Sequence, residues 1–289
     1  MGLPKHLTLG PSSAVRKLQR ARRTARTLVA VVESDGTGDI IARRYRRAMR
    51  SIRVGELADA LGLGSTELVA LVGGGGKTTA LFALGRQLPG TVVLTTTTKM
   101  GRDRSGGRHV LFAPTDAELR SALATHTCVL AWEEDAVHKA VGVTPETADH
   151  WRGLADHVVV EADGSRRKPF KAPLDYEPVV PSTTTVLVAC VGAAALGAPI
   201  EGQCQRSERV ADIAGCTVAD DLTPSRLAAV LTSERGSRKG LPDGARFVVL
   251  INQATGAHSP YLAELEEHLG ASISMIAVAP FEPGESPED

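Results

Sequence analysis

One short segment, residues 73–79, constrains the fold of this chain more than any other part of its sequence. It contains four consecutive glycines followed by Lys77, Thr78 and Thr79, and it comes directly after the apolar run 68–72. A glycine run lets the backbone bend so that successive N–H groups point at one anion, and a helix beginning at Lys77 adds the positive end of its dipole. The pattern predicts a phosphate-binding P-loop, in which the lysine contacts the β- and γ-phosphates and Thr78 reaches Mg²⁺.

The loop departs from the most common P-loop pattern, because Leu71 stands where the first glycine is expected. Its shortened form resembles the loop of the P-loop class that contains the signal-recognition, MinD and BioD proteins. Members with an extra lysine near the start of the loop would carry it at Val72, so that lysine is absent here. The predicted phosphate-binding residues are Gly73, Gly74, Gly75, Gly76, Lys77, Thr78 and Thr79.

Short apolar, β-branched runs alternate with amphipathic stretches from residue 51 onward. This alternation is typical of a parallel sheet covered by helices on both faces. We therefore predict an α/β fold with a doubly wound, mostly parallel sheet of the P-loop NTPase type. The predicted strands are 68–72, 91–95, 109–112, 128–132, 157–161, 185–191, 247–251 and 274–279, and the predicted helices are 54–63, 77–88, 115–124, 145–154, 208–214, 223–232 and 260–269.

Charge divides the chain into two parts. Residues 1–50 contain twelve Lys and Arg against three Asp and Glu, and since the net charge of the chain is zero, the remainder is acidic. We predict a basic N-terminal extension, residues 1–50, and one nucleotide-binding domain, residues 51–289. The extension is expected to be disordered or to lie upstream of a true start near Met49. A basic arm that binds an anionic partner is the alternative.

Composition excludes several other functions. The acidic body and an aromatic content of 3% are unsuited to nucleic acid, which requires clustered positive charge and stacking surfaces. No apolar run approaches the length of about 20 residues that a membrane span needs. The four cysteines have no metal-binding spacing, and we expect free thiols in a cytoplasmic protein. They are Cys128, Cys190, Cys204 and Cys216.

A second predicted strand, 157–161, ends in acidic residues. Ligands of doubly wound sheets lie beyond the carboxyl ends of the strands, so Glu161, Asp163 and Gly164 are expected near the glycine run. In one register Asp163 holds the Mg²⁺ ion through water. In the other, which we favour because the apolar run stops at Val160, Glu161 serves the metal and the Gly164 N–H contacts the γ-phosphate. Asp163 then orients the attacking water or a substrate hydroxyl. The predicted catalytic residues are Lys77, Glu161 and Asp163, and the predicted metal ligands are Thr78 and Glu161.

Other polar residues follow the predicted strands at the same edge of the sheet. Asn252 comes where GTP-binding proteins carry Asn-Lys-x-Asp, but Gln253 and Thr255 do not fit that motif, so the nucleotide is ATP or GTP. The threonine run 95–98 and a stiff, proline-rich segment, the charged loop of residues 166–181, offer contacts to an anionic substrate or partner. These candidate contact residues are Thr96, Thr97, Lys99, Arg166, Arg167, Lys171 and Arg206.

Five blocks of the chain resemble the accessory proteins of selenium-dependent hydroxylases, the YqeC type. They are VALVGGGGKTT (69–79), VLTTTTKM (93–100), VVVEADGSRRKPFK (158–171), APLDYEPVVP (172–181) and residues 248–253. The resemblance implies a P-loop protein linked to the maturation of molybdenum hydroxylases that carry a selenium-containing cofactor. It also implies a molybdenum hydroxylase, or its cofactor-assembly proteins, as partner.

We therefore expect a Mg²⁺-dependent NTP-binding accessory factor that hydrolyses its nucleotide slowly. A small-molecule phosphotransferase or ligase that uses the same P-loop is the alternative. A nucleotide-gated binding module without catalysis is a third interpretation.

Overall fold

The computed structural model describes residues 51–101, 105, 107–136 and 139–281, so the predicted basic extension lies outside the described residues. Thirteen strands form within this part of the chain. They are β1 (Glu67–Gly73), β2 (Val92–Thr96), β3 (Lys99–Gly101), β4 (His109–Phe112), β5 (Cys128–Trp132), β6 (Glu134–Ala136), β7 (Lys139–Val141), β8 (His157–Glu161), β9 (Phe170–Lys171), β10 (Val186–Gly192), β11 (Cys204–Gln205), β12 (Arg246–Asn252) and β13 (Ser274–Ala277).

Eight of these strands form one sheet in the order β13-β12-β10-β1-β8-β2-β5-β4. Every neighbouring pair in it is parallel. The first strand of the chain therefore lies in the interior of the sheet, directly between β10 and β8. The predicted doubly wound α/β fold of the P-loop type is confirmed.

The interior strands of the sheet are mostly apolar because both of its faces are covered. In β1, Leu68, Ala70 and Val72 pack into one hydrophobic cluster, whereas Val69 and Leu71 pack into a second cluster on the opposite face. Successive side chains of a strand point to opposite faces, so a strand buried on both sides is apolar at most of its positions. Buried polar exceptions include Thr95 in β2 and His157 in β8.

Two layers of helices cover the sheet. The first two helices pack on the face of Val69 and Leu71, and the other helices pack on the opposite face. No helix in the described ranges is long and apolar enough to cross a membrane. The helices are α1 (Leu57–Leu61), α2 (Lys77–Gln87), α3 (Asp116–Thr125), α4 (Pro145–Trp151), α5 (Ile200–Gln203), α6 (Ser207–Ala214), α7 (Pro224–Thr232) and α8 (Ser259–Leu269).

Threonine side chains fix the starts of three helices on the larger layer. Thr115, Thr144 and Thr223 each accept a hydrogen bond from the backbone N–H three residues later, at the first turns of α3, α4 and α7. A side-chain oxygen at this position satisfies one of the N–H groups that the helix leaves without an internal partner. These caps explain why the predicted helix starts lie within one residue of the observed ones.

Two small sheets were not predicted. Strands β3, β7 and β6 form an antiparallel sheet, and β9 and β11 form a parallel pair. Each of these strands has two or three residues, which is too short for a periodic pattern. They matter for the site, because they hold Lys99 and the segment after residue 169 beside the carboxyl edge of the large sheet.

The carboxyl edge of the large sheet brings together the residues that end β12, β10, β1, β8 and β2. In this spatial order they are Asn252, Gly192, Gly73, Glu161 and Thr96. Because the strands are parallel, these ends meet at one rim of the sheet, where such folds bind their ligands.

Candidate functional site

The glycine loop, residues 73–76, requires glycine for both conformational and steric reasons. Gly73, Gly75 and Gly76 have φ angles of 92°, 72° and 93°, which side-chain-bearing residues rarely adopt. A Cβ atom on Gly74 would lie 2.6 Å from the carbonyl oxygen of Lys168, and one on Gly75 would lie 2.6 Å from the Cα atom of Gly192. The loop is thus folded tightly between its neighbours, with helix α2 starting immediately after it.

The Lys77 ammonium group is buried at the start of α2. Its Nζ atom donates a hydrogen bond to the carbonyl oxygen of Gly73 at 2.5 Å and lies 3.2 Å from Oδ1 of Asp163 and 4.0 Å from Oε1 of Glu161. Burial alone lowers the pKa of Lys77, but the two carboxylates outweigh burial and raise the pKa above its ordinary value of 10.5. Lys77 is therefore a permanent cation directly beneath the loop.

Thr78 and Glu161 form an oxygen pair at the mouth of the loop. The Thr78 hydroxyl donates to Oε2 of Glu161 at 2.9 Å. In the described part of the chain, no group of three or more His, Cys, Asp or Glu side chains could enclose a metal ion. Mg²⁺ is commonly held by one or two protein oxygens together with substrate phosphates, and this pair fits that arrangement.

Asp163 lies behind the glycine loop, and the expected orientation toward a reacting centre is not what the structure shows. Its Oδ2 atom accepts a hydrogen bond from the backbone N–H of Gly73 at 3.0 Å and lies 3.2 Å from Nζ of Lys171. The residue is 2% exposed and does not line the open cleft described below. Its carboxylate therefore positions the loop and Lys77.

The expected contact residues Lys171 and Arg206 are engaged in ion pairs in the same network. Lys171, 1% exposed, lies 2.7 Å from Oε2 of Glu177, and Arg206 binds both carboxylate oxygens of Glu177 at 2.8 and 3.0 Å. Burial raises the pKa of Glu177, but the bonds from Lys171 and Arg206 outweigh it and hold the pKa below 4.5. These two cations hold the charged loop in place and do not line the cleft.

Thr96 and Thr97 are also expected contact residues that do not line the cleft, and their hydroxyl groups bond to neighbouring backbone. The Thr96 hydroxyl donates to the carbonyl oxygen of Glu161 at 2.7 Å, and the Thr97 hydroxyl donates to that of Val179 at 2.7 Å. Both side chains thereby fix the position of the acidic strand end and of the charged loop.

A cleft of about 820 Å³ opens in front of the glycine loop. Its volume lies within the range of about 300–1,000 Å³ that is usual for small-molecule sites. Of the described residues that line it, Glu161 is the one acid. The structure brings together eleven predicted site residues around this cleft: Gly75, Gly76, Lys77, Thr78, Thr79, Lys99, Glu161, Gly164, Arg166, Arg167 and Asn252.

Asn252 supports the loop from the β12 side. Its Nδ2 atom donates to the carbonyl oxygen of Gly75 at 2.7 Å. Thr255 does not line the cleft and is hydrogen-bonded to His258. Four apolar lining residues near this end were not predicted, since single apolar residues at strand ends give no motif. They are Val54, Val278, Ala279 and Phe281.

Gly192 is a further residue that the sequence analysis missed. It ends β10, and a Cβ atom there would lie 2.8 Å from the Cβ atom of Pro169, so a larger residue would push Pro169 away from the loop. A glycine at the carboxyl end of a buried strand was the available signal.

Comparison with known proteins identifies the family. The family described as YqeC protein matches residues 69–208. A protein of Escherichia coli (strain K12), which bears the name uncharacterized protein YqeC, is 34% identical over 215 residues, covering 70% of this chain and 83% of the relative. The chain belongs to the YqeC family.

The part that matches the YqeC family contains most of the site. Residues 69–208 include the glycine loop, the acidic end of β8, the charged loop and Arg206. Asn252 and the apolar residues near β13 lie after the matched segment. The half of the cleft that surrounds the glycine loop is therefore the half that lies in the matched segment.

Proposed function

We propose that this protein binds a Mg²⁺–nucleoside triphosphate in the cleft and hydrolyses it slowly, as an accessory factor in the maturation of selenium-dependent molybdenum hydroxylases. One observation carries the proposal: a buried lysine, a hydroxyl and a carboxylate converge on a loop of four glycines at a helix start. The Lys77 ammonium lies beneath the loop, and Thr78 and Glu161 are hydrogen-bonded at its mouth.

The electrostatics of the cleft favour a polyphosphate. Helix α2 begins at Lys77, directly after the loop, so the positive end of its dipole lies at the loop. Lys77 adds a full positive charge, because its raised pKa keeps it protonated. The anionic phosphates of a nucleotide complement both features.

Four side chains have a role in this proposal. Lys77 neutralises charge on the β- and γ-phosphates, and Asp163 orients Lys77 from behind the loop. Thr78 and Glu161 would hold Mg²⁺, which supplies Lewis-acid stabilisation of the phosphate charge when it is bound. Gly164 lines the cleft, and its backbone N–H would contact the γ-phosphate.

The accessory role is supported by membership of the YqeC family. The resemblance links this family to hydroxylases with a selenium-containing cofactor. We propose a cytoplasmic protein, because all four cysteines are free thiols, as a reducing compartment keeps them. The nucleotide would be ATP or GTP, since Asn252 is hydrogen-bonded to Gly75 and Thr255 lies away from the cleft.

A small-molecule phosphotransferase or ligase is the second candidate. The cleft extends beyond the glycine loop to Lys99, Arg166 and Arg167. A hydrolase needs only water at that end, whereas cations there suit an anionic acceptor. This observation favours phosphoryl transfer to a metabolite.

One assay tests both candidates. Purified protein is incubated with ATP or GTP, with and without Mg²⁺, and with and without a hydroxylase apoprotein and a selenium donor. Slow hydrolysis that the apoprotein accelerates supports the accessory role, whereas a phosphorylated small-molecule product supports the transferase. The Lys77→Ala protein serves as the control for contaminating hydrolases. Absence of Mg²⁺-dependent nucleotide binding would overturn both candidates.

A further inference from the structure

We infer that the cleft contains a second oxyanion site, formed by Arg166, Arg167 and Lys99, which binds a small molecule carrying a phosphate or carboxylate group beside the γ-phosphate position. The inference rests on the proposed function in one respect, which is the orientation of the bound triphosphate along the cleft. The three cations and the cleft that they line are features of the structure itself.

The order of the strands places this site at the phosphate end of the cleft. Along the carboxyl edge, β12 and β13 lie on one side of β1, and β8 and β2 lie on the other. The oxygen pair of Thr78 and Glu161 belongs to the β8 side, so the γ-phosphate points that way and the nucleoside points toward Asn252. Lys99 and Arg166 follow β2 and β8, beyond the terminal phosphate.

The backbone at the two arginines is unusual. Arg166 and Arg167 have φ angles of 47° and 62°, and the N–H of Lys168 donates to the carbonyl oxygen of Ser165 at 2.9 Å. Two central residues with positive φ define a type I′ turn, which strongly favours Asn-Gly at these positions. Arginine at both positions opposes the local preference, and such departures occur at functional sites that use the side chain for something else.

The charges of these three side chains are not used within the structure. Across the described residues, the head groups of Lys99, Arg166 and Arg167 make no hydrogen bond or ion pair. The other cations of the same loop are engaged: Lys168 donates to the carbonyl oxygen of Gly202, and Lys171 is paired with Glu177. Within this loop, the cations without a partner among the described residues are therefore the two arginines that line the cleft.

The chemistry of the ligand follows from these groups. Guanidinium groups bind carboxylate and phosphate oxygens through paired N–H donors, and lysine adds a mobile point charge. Lys77 and Glu161, the remaining charged lining residues, are assigned to the nucleotide and its Mg²⁺. Among the described lining residues these three cations have no acid beside them other than Glu161, and they suit a small molecule with a doubly charged oxyanion or with two carboxylates.

Calorimetric titration of the full chain tests the site with two probes, inorganic phosphate and succinate. Each is titrated into free protein and into protein saturated with Mg²⁺ and a non-hydrolysable ATP analogue, which fills the γ-phosphate position. The test variant is Arg166→Asn/Arg167→Gly, which keeps the turn and supplies its preferred residues. The control is Arg120→Gln/Lys168→Gln, which removes two positive charges from residues that do not line the cleft.

We expect the test variant to bind one phosphate fewer than the wild type, with or without the analogue, and to melt at a higher temperature. The control should keep the wild-type stoichiometry. A preference for succinate in the analogue complex would identify a dicarboxylate ligand, and a preference for phosphate would identify a phosphorylated one. Unchanged phosphate and succinate binding by the test variant would overturn the inference, whereas failure to bind the analogue would overturn only the proposed function.

Discussion

The carboxylate of Asp163 accepts a hydrogen bond from the backbone N–H of Gly73 at 3.0 Å, although the two residues are ninety positions apart in the chain. This bond joins the segment after β8 to the start of the glycine loop. The same carboxylate lies 3.2 Å from both Lys77 and Lys171. One buried anion therefore fixes the glycine loop, Lys77 and the charged loop that contains Lys171.

The first prediction concerns Lys77, the cation nearest to the phosphates of a bound nucleotide. Lys77→Ala should weaken binding of Mg²⁺–ATP by about 2–3 kcal/mol, because a charge-assisted contact to the phosphates is lost. Isothermal calorimetry measures the change. Lys168→Ala is the matched control, since that lysine donates to Gly202 and does not line the cleft. Equal affinities for the Lys77 variant and the wild type would refute the nucleotide site.

The second prediction concerns Lys171, which lies between two carboxylates in the interior. Lys171→Met should reduce the free energy of unfolding by about 3–5 kcal/mol, because it leaves Asp163 and Glu177 with less compensating charge. Urea denaturation provides the measurement. Lys168→Met, three residues earlier in the chain, should lower the free energy of unfolding by less than about 1 kcal/mol. The Lys168 ammonium donates a hydrogen bond to an exposed carbonyl oxygen, that of Gly202. Similar losses for both variants would contradict the buried network.

The third prediction compares two glycines of the cleft. Gly75→Ala should destabilise the fold by about 2 kcal/mol or more and weaken nucleotide binding, because its Cβ would collide with Gly192 and its φ angle is 72°. At Gly164 an added Cβ meets no atom within 4 Å, so Gly164→Ala should change stability by less than about 0.5 kcal/mol. Thermal unfolding and analogue titration of both variants measure these effects. Equal destabilisation by the two substitutions would show that the loop is not tightly enclosed.

The sequence predicts the large sheet and the glycine loop, but not the buried ion-pair network behind the loop. The eight strands of the large sheet are buried on both faces, so their apolar runs marked them to within two residues. The glycine loop and Glu161 could be placed together because parallel strands end at one edge. The burial of Asp163 could not be predicted, because it depends on how the chain turns after β8. The sequence places Lys171 among the candidate contact residues, because only the fold brings its partners Asp163 and Glu177 to it.

The fourth prediction concerns His157, which is fully buried at the start of β8. Burial lowers the pKa of His157 below 6.5. The negative charges of Asp156 and Glu67 raise this pKa, but by less than burial lowers it. The unfolded chain therefore binds a proton more readily than the folded chain, and stability should fall as the pH drops below about 6.5, with a slope of at most about 1.4 kcal/mol per pH unit. Urea unfolding between pH 7.5 and 5 measures the slope. His157→Leu should remove it, and an unchanged slope in that variant would assign the pH dependence to other groups.

The last prediction separates the roles of Glu161 and Asp163. The Glu161 side chain lines the cleft and is 15% exposed, so Glu161→Gln should leave the unfolding free energy within about 0.5 kcal/mol of the wild type and abolish the effect of Mg²⁺ on nucleotide affinity. Asp163 is buried between two lysines, so Asp163→Asn should cost about 3 kcal/mol of stability.

Nucleotide affinity of the Asp163 variant should also fall, because Lys77 loses its nearest anion, but its dependence on Mg²⁺ should remain. Titrations of Mg²⁺ at fixed nucleotide, together with urea unfolding, give both quantities for each variant. Asp163→Glu is the control, because it keeps a carboxylate in the interior and changes only the position of that carboxylate. If Asp163→Asn abolished the Mg²⁺ dependence at native stability and Glu161→Gln were silent, Asp163 would be the metal ligand and the two assignments would have to be exchanged.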